Sequence, residues 1–387
     1  MLQIPFFSDS KWSALYPLGE NYRLGHLPIG AMRLSELWAS TALAFITTLE
    51  QNQRAKVHFV LENTEINDRW IPSLKAIELL ASVEEGQNII SGSSTLLKWK
   101  HSKSTASPVV FEADENICIE HVTDLFRYLE TWLHHQKNLI IDQWKLQAIN
   151  AAAIPDHVTV IGKTEDIWIH PDATLTHCSL NASSGPIFIG PGAEIQEGSH
   201  IRGPFALARN SVIKMGSRIY GPTMIGEECR IGGELSHCNF LGYSNKGHDG
   251  FLGQSVIGQW CNLGAATNSS NLKSNYSPVR LWSAESNEFV TTDLQFCGLI
   301  MGDHSKCGIN TMFNTGTIVG IGCNIFGGGF QPKHIPSFSW GGGSQWELHD
   351  FDRFLETAKQ VLSRRSMTFT EEMRQSLRAE FDHAKTR

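Results

Sequence analysis

The stretch NKGHDGFLG, Asn245 to Gly253, sets a histidine among glycines and an aspartate. No bulky chain neighbour crowds the ring of His248. Imidazole titrates near neutrality, so it can take a proton from a reacting group at working pH. A general base is the chemistry this residue offers. The plainer reading is a solvent-facing loop histidine, one of sixteen in the chain. Two asparagines follow downstream, Asn262 and Asn271, whose amides both donate and accept hydrogen bonds.

The elements that must position these residues repeat with a period of six. Ile189, Ile195, Ile201, Leu207, Ile213, Ile219, Ile225 and Ile231 stand six apart, with glycine, proline and small polar residues between them. The beat returns at Ile257 and Leu263, and again at Met301, Cys307, Phe313, Val319 and Ile325. A helix needs apolar residues at i, i+3, i+4 and i+7, and a half-buried strand alternates. One aliphatic per six residues instead matches a coil of short parallel strands, the hexapeptide β-helix. Each inward aliphatic then contributes about 1.5–3 kcal/mol by burial. The beat breaks twice. The first break, between Ile231 and Ile257, holds His248. The second, between Leu263 and Met301, is an insertion whose Tyr276, Trp282 and Phe289 are apolar enough to pack on a neighbouring surface. Loops of that length inside a regular array are usually functional.

Around the repeat the pattern changes. Residues 1–150 read as a mixed α/β domain. Val57–Leu61 and Ile117–Ile119 read as strands, IPSLKAIELLASVEEG as a helix closed by Gly86, and residues 121–149 as a long helical pattern. After Trp346 the pattern is helical, with Thr368 and Glu371 as a capping box for the last helix. This tail is expected to cover the open end of the prism. A net charge of −7 argues against a nucleic-acid binder. The eight cysteines show no C-x-x-C pair and read as small buried hydrophobes in a reducing cytoplasm. The amino terminus lacks a signal-peptide pattern and no apolar run is long enough to cross a membrane.

The run KGHDGFLGQSVIGQWCNLGAATNSSN resembles the acetyltransferase half of the bifunctional GlmU family. The family pattern K-x-x-H-x-x-Y-L-G, I-G, N-h-G-x-x-T and a further Asn is met at His248, Leu252-Gly253, Ile257-Gly258, Asn262, Gly264, Thr267 and Asn271. The run QFCGLIMGDHSKCGINTMFNTGTIVG is more similar still to GlmU-like sugar nucleotidyltransferase-related proteins. The resemblance implies a left-handed parallel β-helix and a homotrimer with sites between neighbours. It implies acetyl transfer from acetyl-CoA to an amino sugar phosphate or sugar nucleotide. It makes His248 the general base and gives Asn262 and Asn271 sugar and acyl contacts. Arg218 falls where the family binds the substrate phosphate. Lys246, Phe251 and Lys273 stand at or near further substrate positions. Three departures are visible. Phe251 replaces a tyrosine, Ser236 and His237 replace an upstream lysine pair, and Lys273 is offset.

The uridylyltransferase half of that family opens with a glycine-rich phosphate loop, L-x-A-G-x-G-T-R, whose backbone N–H groups cradle phosphates. This chain has none. Asp9, Asp114 and Asp142 are metal candidates only by default and read as solvated. Mg belongs here only if the first domain is active. The expected organisation is a reduced nucleotidyltransferase-like α/β domain (1–150), a left-handed β-helix acyltransferase-like domain (151–345) and a helical tail (346–387). Two other functions remain open: a sugar-phosphate nucleotidyltransferase with a divergent first domain, and a non-catalytic sugar-nucleotide-binding relative.

Overall fold

The six-residue beat becomes three parallel ladders in the computed structural model. This describes residues 4–19, 22–23, 25–100, 106–111, 118–149 and 155–385. On the first ladder Ile187 pairs with Phe205 and Phe205 with Thr223, a step of 18 residues. On the second, Glu194–Ile195 pairs with Val212–Ile213, and that strand with Arg230–Ile231. On the third, His200–Arg202 pairs with Arg218–Tyr220. Three six-residue sides thus close one coil of a prism. The eight aliphatics from Ile189 to Ile231 are 0–2% exposed, as a stacked interior requires. Met301, Cys307, Phe313, Val319 and Ile325 lie in the same core.

Hydroxyls at the corners tie the coils together. Ser211 Oγ donates to Gly226 O (2.6 Å) and accepts from Cys229 N (2.8 Å). Ser244 does the same between Gly258 O and Cys261 N. All eight cysteines are free thiols. Burial pushes those of Cys229 and Cys323 up to about 12, which leaves them inert.

The first break in the beat is a contraction. Ile231 pairs with Lys246, a step of 15, and Asn245 with Asn262, a step of 17. Leu235, Phe240 and Leu252 fill the other inward positions. The ladder then resumes across the insertion, where Val256 pairs with Ile300. The insertion folds back over a later coil of the prism. Its hairpin pairs Arg280–Ser283 with Glu288–Thr291. Trp282 stacks on His334 of the prism (4.1 Å, 10°), and Phe289 meets Trp282 edge-on. Val279 and Leu281 are buried, whereas Tyr276 stays 66% exposed.

Of the carboxy-terminal helices, Phe351–Ser363 runs along the flank of the prism and Glu371–Ala384 packs beside its start. Phe351, Phe354 and Phe381 pack on Phe338. Just beyond the first helix, Arg365 reaches Glu228 O and Asn245 Oδ1 (both 3.3 Å). Thirteen residues span about 20 Å, or roughly four strand spacings, so one helix bridges several coils. The last helix is capped by Thr370, whose hydroxyl accepts from Met373 N, and not by Thr368.

The chain divides into Met1–Ser13 with Asn21–His121, and Ala14–Glu20 with Val122–Arg387. The division falls at residue 121 and not at 150, because the long helical pattern belongs to the β-helix unit. It is broken into Asp124–Arg127, Leu129–His135 and Lys137–Trp144. Asn239 Nδ2 donates to Leu125 O inside that unit (2.9 Å).

The smaller unit is a mixed sheet ordered Phe6–Phe7, Thr64–Asn67, Ser94–Trp99, Ile89–Ser91, Val109–Val110, with three helices. Val57–Leu61 is not a strand but part of the helix Gln51–Asn63. Its β-branched residues suggest a strand, yet Val57, Val60 and Leu61 are buried at helical spacing. The next helix ends at Ser82, before Gly86. Cys118 and Ile119 lie outside any named strand, with Cys118 bridging Trp70, and Ile117 lies outside the described residues. Among the described residues no helix is long and apolar enough to cross a membrane.

Candidate functional site

His248 stands on a corner turn of the contracted coil, between the strands Asn245–Lys246 and Phe251–Ile257, and is exposed. Its backbone is held from inside the prism. Lys246 takes an inward position normally filled by an aliphatic and is 1% exposed. Its ammonium donates to Gly232 O (2.9 Å) and His248 O (2.8 Å). Burial pushes the Lys246 pKa down to about 8. This corrects the expectation that Lys246 meets substrate: its amine faces the core. Counting K-x-x-H back from His248 reaches Asn245, which has the outward position. The turn closes through Gly250, at φ +126°, where a Cβ would lie 2.0 Å from Thr267 O. Only glycine fits there.

The strand after the turn gathers Arg218, Phe251 and Asn271. Phe251 pairs in register with Glu234, and Glu234 with Arg218. The three form an outward row, in which Arg218 Nε is 3.2 Å from Glu234 Oε2. Gly253 lies under Phe251 and Asn271: a Cβ there would meet Asn271 Nδ2 at 2.5 Å and Phe251 Cζ at 2.7 Å. Asn271 Nδ2 donates to Gln254 Oε1 (2.6 Å), and Asn268 Oδ1 accepts from Phe251 N (2.8 Å). Ser236 Oγ sits 2.9 Å from His237 Nδ1. Burial holds His237 below the usual imidazole value, against the opposing pull of Glu130. Lys273 turns back into its own loop, donating to Ser277 Oγ (3.1 Å) and Pro278 O (2.7 Å). The structure therefore brings Arg218, Phe251 and Asn271 onto one face, with His248 at its leading corner.

Asn262 is exposed on a different face. It pairs with Asn245 on one side and Lys306 on the other. It lines a groove of about 570 Å³ between that face and the carboxy-terminal helix region. Arg230, Lys306, Arg364 and Arg365 also line it, as do Tyr243 and Trp260. Tyr243 and Trp260 stack at 4.3 Å and 17°, with φ of 55° and 62°. Bulky residues pay for left-handed backbone. Sequence reading missed this groove. A visible signal was the recurrence of a polar residue, an inward residue and glycine in Arg230-Ile231-Gly232, Asn245-Lys246-Gly247, Asn262-Leu263-Gly264 and Lys306-Cys307-Gly308.

In the smaller unit Asp9 is half-buried and paired, not a free surface carboxylate. Arg69, itself wholly buried, donates to Asp9 Oδ1 (3.2 Å) and Oδ2 (2.7 Å), and Asn67 to Oδ2 (2.9 Å). Burial raises the Asp9 pKa, and the hydrogen bonds from Arg69 and Asn67 outweigh it and hold the carboxyl below its usual value. A carboxylate so occupied is a poor metal ligand. Asp142 is exposed, and Asp114 lies outside the described residues.

No protein-family profile matches the chain. The bifunctional protein GlmU of a Cyanothece species is 25% identical over 197 residues, covering 47% of this chain and 39% of that protein. The one of Synechococcus elongatus is 26% identical over 227 residues, covering 56% of this chain and 44% of that protein. The chain thus spans less than half the length of these relatives. Among solved structures, the polySia-specific acetyltransferase NeuO aligns at TM-score 0.31 and 13% identity, over 55% of this chain and 99% of that one. The parallel solenoid rests on this chain's own strand register. Over about half its length the chain is similar in sequence to these bifunctional GlmU proteins.

Proposed function

We propose that the protein transfers an acetyl group from acetyl-CoA to the amine of a sugar phosphate or nucleotide sugar. One observation carries the reading: an exposed imidazole, His248, stands on a turn whose carbonyl is pinned by the buried Lys246 ammonium, directly before the Phe251–Asn271 face. In the reaction His248 accepts the proton of the attacking amine as the N–C bond forms. A backbone N–H or an asparagine amide steadies the oxyanion. The C–S bond breaks and CoA leaves as the thiol. Asn271 contacts the acyl group or sugar from the Phe251 face. Asn262 does so from its own face, across a homotrimer interface. Exposed Ile309, Met312 and Phe330 are apolar surface suited to such an assembly. A reducing, cytoplasmic compartment fits the free thiols.

Loss of a general base costs roughly 10²–10⁴ in rate. His248→Ala is expected to cut turnover by that order with CoA affinity unchanged, measured by thiol release from acetyl-CoA against a panel of amino sugars. No turnover by the natural protein on any of them, with no effect of His248→Ala, would overturn the reading. A binding protein without chemistry is the second reading. It is favoured by the missing hydroxyl at Phe251 and by Glu234, which occupies Arg218.

A further inference from the structure

The groove that holds Asn262 carries an excess of positive charge. Lys214, Arg230, Lys306, Arg364 and Arg365 line it, and no carboxylate does. Among the described residues its ion pairs are those of Arg230 and Arg365 with one acid, Glu228, at 3.8 and 3.6 Å. Arg365 Nε is buried with no hydrogen-bond acceptor. Burial first, and then the charge of Arg230, hold the Arg365 pKa below its usual value, and burial does the same to Lys306. Like charges gathered in a concave, partly dry space repel, and the same field concentrates anions. The five cations are costly to the free protein and matched to a polyanion.

Strand register orders the polar groups. Arg230, Asn245, Asn262 and Lys306 follow one another on successive strands, all facing outward. Neighbours stand about 4.8 Å apart. Two amides therefore lie side by side with a cation at each end, and Arg364 and Arg365 face them from the region of the helix. Guanidinium forks bind phosphoryl oxygens in pairs, and amides supply further donors. Tyr243 and Trp260 add a flat apolar wall, kept at a backbone cost that packing elsewhere must offset. A volume of about 570 Å³ admits more than a lone phosphate and lies in the usual range for small-molecule sites.

We propose that this groove binds a ligand carrying a pyrophosphate group. The inference rests on the groove's own charges and register, and does not depend on acetyl transfer. CoA and a nucleotide sugar share this chemistry.

The test is calorimetric titration of the full chain with inorganic pyrophosphate, CoA and UDP-N-acetylglucosamine, at low and high salt. Variants are Arg364→Gln/Arg365→Gln, just beyond the helix, and Lys214→Gln, on the coil before Arg230. A melting curve without ligand checks that each folds. Pyrophosphate is expected to bind the natural protein, and more weakly at high salt. The double variant should raise Kd at least tenfold and Lys214→Gln about threefold, while His248→Ala leaves Kd unchanged. That last arm separates this site from the acetyl-transfer reading. Tighter binding of CoA than of pyrophosphate names CoA as the ligand, tighter binding of the UDP-sugar names the nucleotide, and equal binding of all three leaves pyrophosphate alone as the recognised group. Absence of pyrophosphate binding at millimolar concentration, or equal binding by folded variants and natural protein, overturns the proposal.

Discussion

The coils from Ile187 to Ile231 and those from Ile231 to Leu263 are built from the same strands but follow different rules. In the first stretch the register step is 18 and the inward positions are apolar save Thr223. In the second the steps are 15 and 17, a lysine faces inward, and aromatic residues occupy left-handed corners. Most of the candidate site residues lie in or beside the second stretch. Local rules are broken where function or strain is stored, and the regular coils supply the rigidity that sustains it.

A charge placed in the two stacks tests that contrast most severely. Ile213→Asp puts a carboxylate among aliphatics with no partner. Its cost should be about 4 kcal/mol or more, enough to abolish cooperative unfolding of the solenoid in urea. Lys246 is already a charge in a stack, but two carbonyls receive it. Removing the ammonium relieves the cost of burying it but deprives two carbonyls of a donor, so Lys246→Met should stay within about 2 kcal/mol of the natural protein at pH 7.

The same pair of proteins separates by pH. The folded-state pKa of Lys246 is pushed down to about 8, against an ordinary 10.5. Between those values the unfolded chain holds the extra proton, so stability rises with pH. The gain is on the order of 3 kcal/mol in total, absent from Lys246→Met. A difference in urea midpoint that does not grow between pH 8 and 10.5 would refute it. Acetyl transfer by Lys246→Met should fall, because the carbonyl of His248 loses its anchor. The mildest probe is Phe251→Tyr. On a half-buried strand position it should shift stability by roughly 0.5 kcal/mol or less while raising turnover on glucosamine 1-phosphate. No rise would detach the Phe251 face from that acceptor.

Legibility followed periodicity. The β-helix and its inward residues were readable because one aliphatic per six residues has no other simple home. His248, Phe251 and Asn271 were readable as a group because their positions match a family pattern. The strand expected at Val57–Leu61 became a helix because tertiary packing overrode β-branched propensity. The apolar insertion found its partner in His334, more than forty residues further along the chain. No local pattern announces such a contact.

The chain's own letters settle the coil: six-residue spacing decides which side chains face inward, because each strand turns the same side to the core as the one before it. They also place a histidine and two asparagines in or just beyond the contracted coils. Only the folded molecule decides which of these share a face. One contraction of the register turns Lys246 inward, leaves Asn245 outward beside Asn262, and puts Asn271 over Gly253. The groove likewise needs Arg364 and Arg365 brought back along the prism from far down the chain. Spacing is local and survives in one dimension, whereas the convergence of charges depends on how coils and helix are stacked in three.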